Sequence, residues 1–241
     1  MKEERYFYAP KAEIVNELPQ DEAIHATRVL RLKEDDEIYL IDGCGYFYKA
    51  QITMSSPKRC MYTIKEKLKQ DKSWEGHIHI VMAPTKMMER IEWMAEKATE
   101  IGIDEISFIE CQYSERRSLR TERIDKIVVA AIKQSHKAWK PQVNNNLIPF
   151  SDFLKQNTNG QKYICHCYNE IERTDLFELL NSNKTEENIT IMIGPEGDFS
   201  IDEVRQAIKH GFKPVSLGKS RLRTETAALS AVMMAQLTMR K

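Results

Sequence analysis

"IMIGPEGDFS" (residues 191–200) and "LGKSRLRTETAALSA" (217–231) share one shape. Each runs from an apolar, β-branched segment into a glycine turn and out again into a helical pattern. In the first the interruption is Gly194-Pro195-Glu196-Gly197. In the second it is Gly218, followed by a basic stretch carrying Arg221 and Arg223. Ligands of α/β sheets sit beyond the carboxyl ends of strands, where glycine lets them approach the main chain closely. Two such turns close together point to one ligand site with backbone N–H and C=O groups exposed. Two tight structural turns explain the glycines as well, but not Arg221, Arg223 and Glu225 around the second.

The flanking sequence fits that reading. "HIHIVMAP" predicts a strand at 77–83, and Met87, Ile91, Met94, Ala98 and Ile101 give the next segment helical spacing, with Gly102 as its stop. "DEISFIE" reads as a strand and "ERIDKIVVAAIKQSHKAW" as a helix. "KYICHCY" and "NITIMIG" read as further strands. "SIDEVRQAIKHG" is a short helix with Ser200 and Glu203 as a capping box and Gly211 at its end. "PVSLG" is a last strand, and a helix starts at Thr224. Alternation of this kind predicts a mainly parallel sheet with crossover helices.

Residues before about 70 differ in style. "RYFYA", "DEIYLID", "YFYKAQI" and "MYTIKEKL" are short strands, with Asp42-Gly43-Cys44-Gly45 as a hairpin turn. One helix interrupts them near "DEAIHATRVLRL", with Ile24, Val29 and Leu32 on its apolar side. "KQDKSWEG" (69–76) reads as a linker. The expected division is 1–72 and 73–241.

Composition narrows the class. The chain has 241 residues and 41% hydrophobic content, and no apolar run reaches the ~20 residues of a membrane helix. "MKEERYFYAPKAE" lacks the pattern of a signal peptide. Five irregularly spaced cysteines suit a reducing compartment, so a soluble cytoplasmic protein is expected. Lys+Arg and Asp+Glu tie at 36 each, so nucleic-acid affinity has to come from a local patch.

Several motifs are absent. No G-x-G-x-x-G opens a helix, and neither a P-loop nor a G-x-S-x-G elbow occurs. Cys165-His166-Cys167, and likewise His77 and His79, lack a partner set with zinc spacing, so core packing is expected and no metal. "SERRSLRTER" gathers Arg116, Arg117, Arg120 and Arg123, and Trp139 lies between Lys137 and Lys140. A solvated face explains such a charge run; phosphate contact and base stacking explain it too.

"MIGPEGDFS" paired with "LGKSRLRTETAALSA" resembles the signature of the RsmE family, the 16S ribosomal RNA uridine N3-methyltransferases of the SPOUT class. "HATRVLRLKEDDEIYLIDGCGYFYKAQI" resembles the family's PUA-like RNA-binding domain. "KMMERIEWMAEKATEIGIDEI", "SERRS" and "QSHKAWKPQV" resemble its middle, so the resemblance covers nearly the whole chain. Lys137 stands where the family often has arginine, and Asp198 where a further glycine is common.

The resemblance implies an α/β SPOUT-type domain with a C-terminal trefoil knot, preceded by a small β-rich PUA-like domain. It implies S-adenosylmethionine as cofactor, bound by Ile193, Gly194, Glu196, Gly197, Leu217, Gly218, Leu222 and Thr226. Arg221, Arg223 and Glu225 form the expected catalytic group. Arg28, Arg31, Arg116, Arg117 and Lys137 are expected to contact RNA. The expected partner is 16S ribosomal RNA in the small subunit, and the expected assembly a homodimer, with some arginines acting in trans. The same chemistry on another RNA, and a catalytically silent assembly factor, are the alternatives.

Overall fold

In the computed structural model, residues 4–56, 58–156, 159–182 and 188–241 are described. They fall into two units, one running to Lys72 and including Val129–Lys140, the other comprising Ser73–Val128 and Pro141–Lys241.

The first unit is built on a four-stranded sheet. Its strands are β1 (Tyr6–Tyr8), β2 (Glu37–Ile41), β3 (Tyr46–Ser55) and β4 (Cys60–Lys69), in that spatial order. β1 runs parallel to β2, and the other pairs are antiparallel. Alternation puts Ile38, Leu40, Tyr48, Ala50, Ile52 and Tyr62 into one core with Phe7, as period-2 patterning requires. The predicted hairpin turn is present. Gly43 and Gly45 take φ of 80° and 104°, and Asp42 Oδ1 accepts N–H bonds from Cys44 at 2.7 Å and Tyr46 at 3.0 Å.

The helix here departs from expectation. α1 (Gln20–Ile24) passes into a π-helical turn over His25–Val29, where the Leu30 N–H reaches His25 O. The wider turn rotates the residues after it, so Ala23, Ala26 and Leu32 are buried while Val29 is 64% exposed. Val29 therefore does not belong to the apolar side. Trp139 is also spoken for within this unit. Its ring lies against Gly45, where a Cβ would stand 2.4 Å from Cζ2, and its indole N–H donates to Gln70 O at 2.9 Å.

The second unit is a seven-stranded sheet, parallel throughout. In chain order it contains β5 (His77–Met82), α2 (Met88–Ile101), β6 (Glu105–Glu110), the start of α3 (Thr121–Gln134), β7 (Gln142–Pro149), α4 (Phe150–Leu154) and β8 (Gln161–Cys165). Then come β9 (Thr174–Asp175), α5 (Leu176–Ser182), β10 (Asn188–Ile193), α6 (Ile201–Lys209), β11 (Lys213–Ser216) and α7 (Thr224–Met239). The spatial order is β7-β6-β5-β10-β8-β11-β9.

Both faces of the sheet are covered, which explains the near-continuous apolar runs of β5 and β10. Ile78, Ile80 and Met82 pack with Ile91, Met94 and Ala98 of α2 and with Ala228, Ala231 and Val232 of α7. Val81 and Met192 face the other way, onto Phe153, Phe199, Val204 and Ala207. Gly102 ends α2 at φ 121°. The capping box of Ser200 and Glu203 is complete.

Two predicted spans are too long. α3 stops at Gln134 because His136 turns left-handed at φ 50°, and the Lys137 N–H bonds back to Ile132 O at 2.9 Å. Strand β8 ends at Cys165, ahead of His166 and Cys167. His77 and His79 do share a face, within a polar group packed between strands. His79 Nε2 lies 2.7 Å from Ser107 Oγ, His77 Nε2 lies 2.9 Å from Glu105 Oε2, and Asn144 donates to both Glu105 and Ser107. No cluster of metal-ligating side chains occurs among the described residues. No helix among them is long and apolar enough to cross a membrane.

Candidate functional site

A cavity of about 1070 Å³ opens beyond the carboxyl ends of β8, β10 and β11. Residues 194–199 form one wall. The turn closes through an N–H bond from Asp198 to Pro195 O at 2.9 Å, and Asp198 itself is left-handed at φ 69°. A Cβ on Gly194 would stand 2.9 Å from Phe199 N, so this position tolerates only glycine.

The wall is tied down by its own carboxylates. Asp198 accepts N–H bonds from Cys167 at 2.7 Å and Phe199 at 2.8 Å, joining the turn to the loop after β8. Glu196 accepts the Lys86 N–H at 2.9 Å, joining it to the loop after β5. Aspartate in place of glycine at 198 therefore adds a brace, and its short side chain suits the left-handed backbone.

The second wall starts at Gly218, with φ 99° and no atom within 4 Å of where a Cβ would sit. Gly218 itself lines the cavity. Leu217 and Leu222 supply apolar surface, and Arg221 and Arg223 stand at the opening with exposed side chains. Neither arginine has an acidic partner within ion-pair distance among the described residues.

Of the expected site residues, Ile193, Gly194, Glu196, Leu217, Gly218, Leu222, Arg221 and Arg223 line this cavity. Gly197, Thr226 and Glu225 do not. Gly197 faces a neighbour instead, since a Cβ there would lie 3.2 Å from Tyr113 Cβ, a tight approach. Glu225 is 6% exposed and its Oε1 sits 3.7 Å from Arg90 Nε. The expected grouping of Arg221, Arg223 and Glu225 thus splits, with the carboxylate turned into the α2–α7 packing. Thr226 is half-buried in the first turn of α7.

The cavity also holds residues that sequence reasoning missed. His166 is 4% exposed, and its Nδ1 accepts the Tyr168 N–H at 3.2 Å. Burial, reinforced by Arg173, pushes its pKa down, so the imidazole is neutral with its proton on Nε2. Arg173 donates to His166 O at 2.7 Å and lines the cavity with Asp175 and Glu178. Only the position of "CHCY" at a strand end pointed this way.

The residues expected to contact RNA have different surroundings. Arg28, in the π-helical turn, and Arg31, left-handed at φ 53° and outside the helix, are both exposed in the first unit. Lys137 is half-buried, and burial lowers its pKa. In the second unit Arg116 gives its guanidinium to Thr85 O and Lys86 O, a brace for the loop after β5. Arg117 stays exposed, 3.2 Å from Glu110.

The family pattern described as an RNA methyltransferase domain matches residues 72–236, and that described as an RNA methyltransferase PUA domain matches 18–61. The ribosomal RNA small subunit methyltransferase E of Rickettsia conorii is 32% identical over 219 residues, 90% of this chain and 87% of that one. The chain belongs to the ribosomal RNA small subunit methyltransferase E family. Solved structures of the family type agree in fold. A probable rRNA-methyltransferase from Porphyromonas gingivalis is 39% identical, with a TM-score of 0.87 and 98% of both chains covered. The Neisseria gonorrhoeae methyltransferase E, solved bound to S-adenosyl methionine, is 28% identical at a TM-score of 0.85, again over 98% of both chains.

Proposed function

We propose that this methyltransferase E family member transfers a methyl group from S-adenosylmethionine to N3 of a uridine in 16S ribosomal RNA. The observation that carries the reading is the cavity at three parallel strand ends, lined by Gly218 and by two arginines that have no ion-pair partner among the described residues. The residues fit the cofactor. Ile193, Leu217 and Leu222 offer apolar surface for a purine, and the glycine turns offer main-chain groups to its edge.

When bound, the cofactor supplies an electrophilic methyl group on a sulfonium. The protein's part is placement and charge. N3 lies on the Watson–Crick edge, so the base has to be unpaired or flipped before it enters. Before it can be methylated N3 must give up its proton, to solvent. The negative charge of the resulting uracil anion spreads over N3 and the two flanking carbonyl oxygens until the N–CH3 bond consumes it. Arg221 and Arg223 line the cavity, form no ion pair among the described residues, and are the groups that stabilise that charge. Orientation supplies much of the remaining acceleration.

In this reading the first unit binds RNA through Arg28 and Arg31, and the C-terminal strands carry the family's trefoil knot. The working form is a homodimer, for which α7 offers a face. Met233 and Leu237 are exposed on that helix, and Trp93 is exposed on α2 packed beside it.

The test is direct. Small ribosomal subunits from a bacterial strain lacking the modification are incubated with the protein and S-adenosylmethionine, and digested 16S RNA is analysed by mass spectrometry. 3-Methyluridine is expected at one position. Methylation of another atom, or no incorporation despite cofactor binding, would defeat the reading.

A further inference from the structure

The turn after β6 holds an aromatic residue, Tyr113, beside the Gly197 turn. Cys111 and Ser114 close that turn, with the Ser114 N–H on Cys111 O at 3.1 Å and the Cys111 N–H on Ser114 Oγ at 3.0 Å. Both residues are buried. The Gln112 N–H is held by Glu203 Oε1 at 2.8 Å, and Glu203 is itself locked into the capping box of α6. Tyr113 projects from this fixed frame with 47% of its surface exposed.

Its place is set by Gly197. The absent side chain there lets Tyr113 Cβ come close, since a Cβ on Gly197 would lie 3.2 Å from it. Glu196 and Asp198, on either side of that glycine, both line the cavity. A ring left nearly half exposed, on a turn already closed by main-chain and side-chain hydrogen bonds, adds little to the core. A flipped pyrimidine, by contrast, has lost its stacking neighbours and needs a flat surface to hold one orientation.

We propose that Tyr113 is a positioning residue whose ring stacks on the target base and keeps its Watson–Crick edge turned toward the cavity. This rests on the proposed reaction at an unpaired uridine. Arg117 and Arg120 are exposed on the segment after Tyr113 and are cations suited to the flanking phosphates. Stacking is indifferent to the phenol hydroxyl, so phenylalanine should serve equally well and an aliphatic side chain should not.

The experiment compares wild type with Tyr113→Phe, Tyr113→Leu and Tyr113→Ala on unmodified small ribosomal subunits. Three quantities are read for each: kcat/KM for methylation, affinity for S-adenosylhomocysteine, and Tm. Tyr113→Phe should match wild type. Tyr113→Leu and Tyr113→Ala should lose roughly ten- to a hundredfold in kcat/KM with cofactor affinity and Tm unchanged. Wild-type kcat/KM in Tyr113→Ala overturns the proposal. So does a parallel fall of Tm and cofactor affinity, which would make Tyr113 a brace for the Gly197 turn. A wild-type chain that leaves uridine N3 unmodified defeats the assigned reaction, and with it the stacking role.

Discussion

Glu225 Oε1 lies 3.7 Å from Arg90 Nε, and neither Arg221 nor Arg223 approaches that carboxylate. Glu225 sits in the first turn of α7, where the helix dipole favours a negative charge. Its Oε2 is buried without a hydrogen-bond partner. The contact with Arg90 is therefore what compensates a carboxylate removed from water.

Removing Arg90 should cost stability and leave catalysis alone. Arg90→Ala leaves Glu225 as an unpaired buried charge, and a loss of about 1–3 kcal/mol is expected in denaturant unfolding. Glu225→Gln should be milder, since it removes the charge together with its need for a partner. The methylation rate at saturating cofactor should stay near wild type in both. A tenfold slower rate at unchanged stability would return Glu225 to the catalytic group.

The glycines separate by what a side chain would meet. Gly218→Ala forces a Cβ onto a backbone at φ 99° in the cavity lining. S-adenosylhomocysteine affinity should fall at least about tenfold, equivalent to ~1.4 kcal/mol. Gly197→Val pushes on Tyr113 instead, so cofactor affinity should largely survive while methylation of RNA slows. Isothermal titration of both variants checks this; equal loss of cofactor binding in the two would put Gly197 back in the cofactor site.

Acid should weaken the second unit through His79. Burial lowers its pKa from 6.5 to about 4, with His77 acting in the same direction and Glu105 opposing. The imidazole is neutral in the fold and gains a proton more easily when unfolded. Stability is therefore full above about pH 6.5 and declines as pH falls toward 4, by up to about 3 kcal/mol. Glu105, held at about 2 chiefly by its hydrogen bond from His77, adds a further loss only at lower pH. His79→Gln should flatten the decline between pH 6.5 and 4 in urea titrations; an unchanged slope assigns it to other groups.

Elements with strong periodicity are legible in the sequence, and those set by tertiary context are not. β5, β10, α2 and the capped α6 declare themselves through apolar spacing and terminal signals. β7 is hidden because Asn144, Asn145 and Asn146 have poor strand propensity. The end of α3 is hidden because His136, not glycine, takes the left-handed position. In the site, the turns at Gly194 and Gly218 are readable from glycine at a strand end. Arg173, Asp175 and Glu178 are not, because only the pairing of β9 with β11 brings them to the cavity. Glu225 is misplaced by sequence for a related reason. Nearness to Arg223 in sequence suggests a cluster, but two steps along a helix turn a side chain by about 200°.

The last prediction separates catalysis from binding at Arg223. This residue is the N-cap of α7 without a side-chain cap bond, its guanidinium is exposed, and it lines the cavity mouth beside Arg221. It braces neither Glu225 nor any other acid among the described residues, so its removal should barely affect folding. If it stabilises charge developing on uracil, Arg223→Ala should lower the single-turnover methylation rate by about a hundredfold or more. S-adenosylhomocysteine affinity and Tm should change little. Arg223→Lys should recover only part of the rate, because an ammonium lacks the planar fork that matches two acceptor oxygens. Rapid-quench assays at saturating cofactor, with titration and melting of the same variants, distinguish this from a purely structural role. A drop in Tm and cofactor affinity with the saturated rate preserved would mean that Arg223 shapes the second wall and takes no part in the transition state.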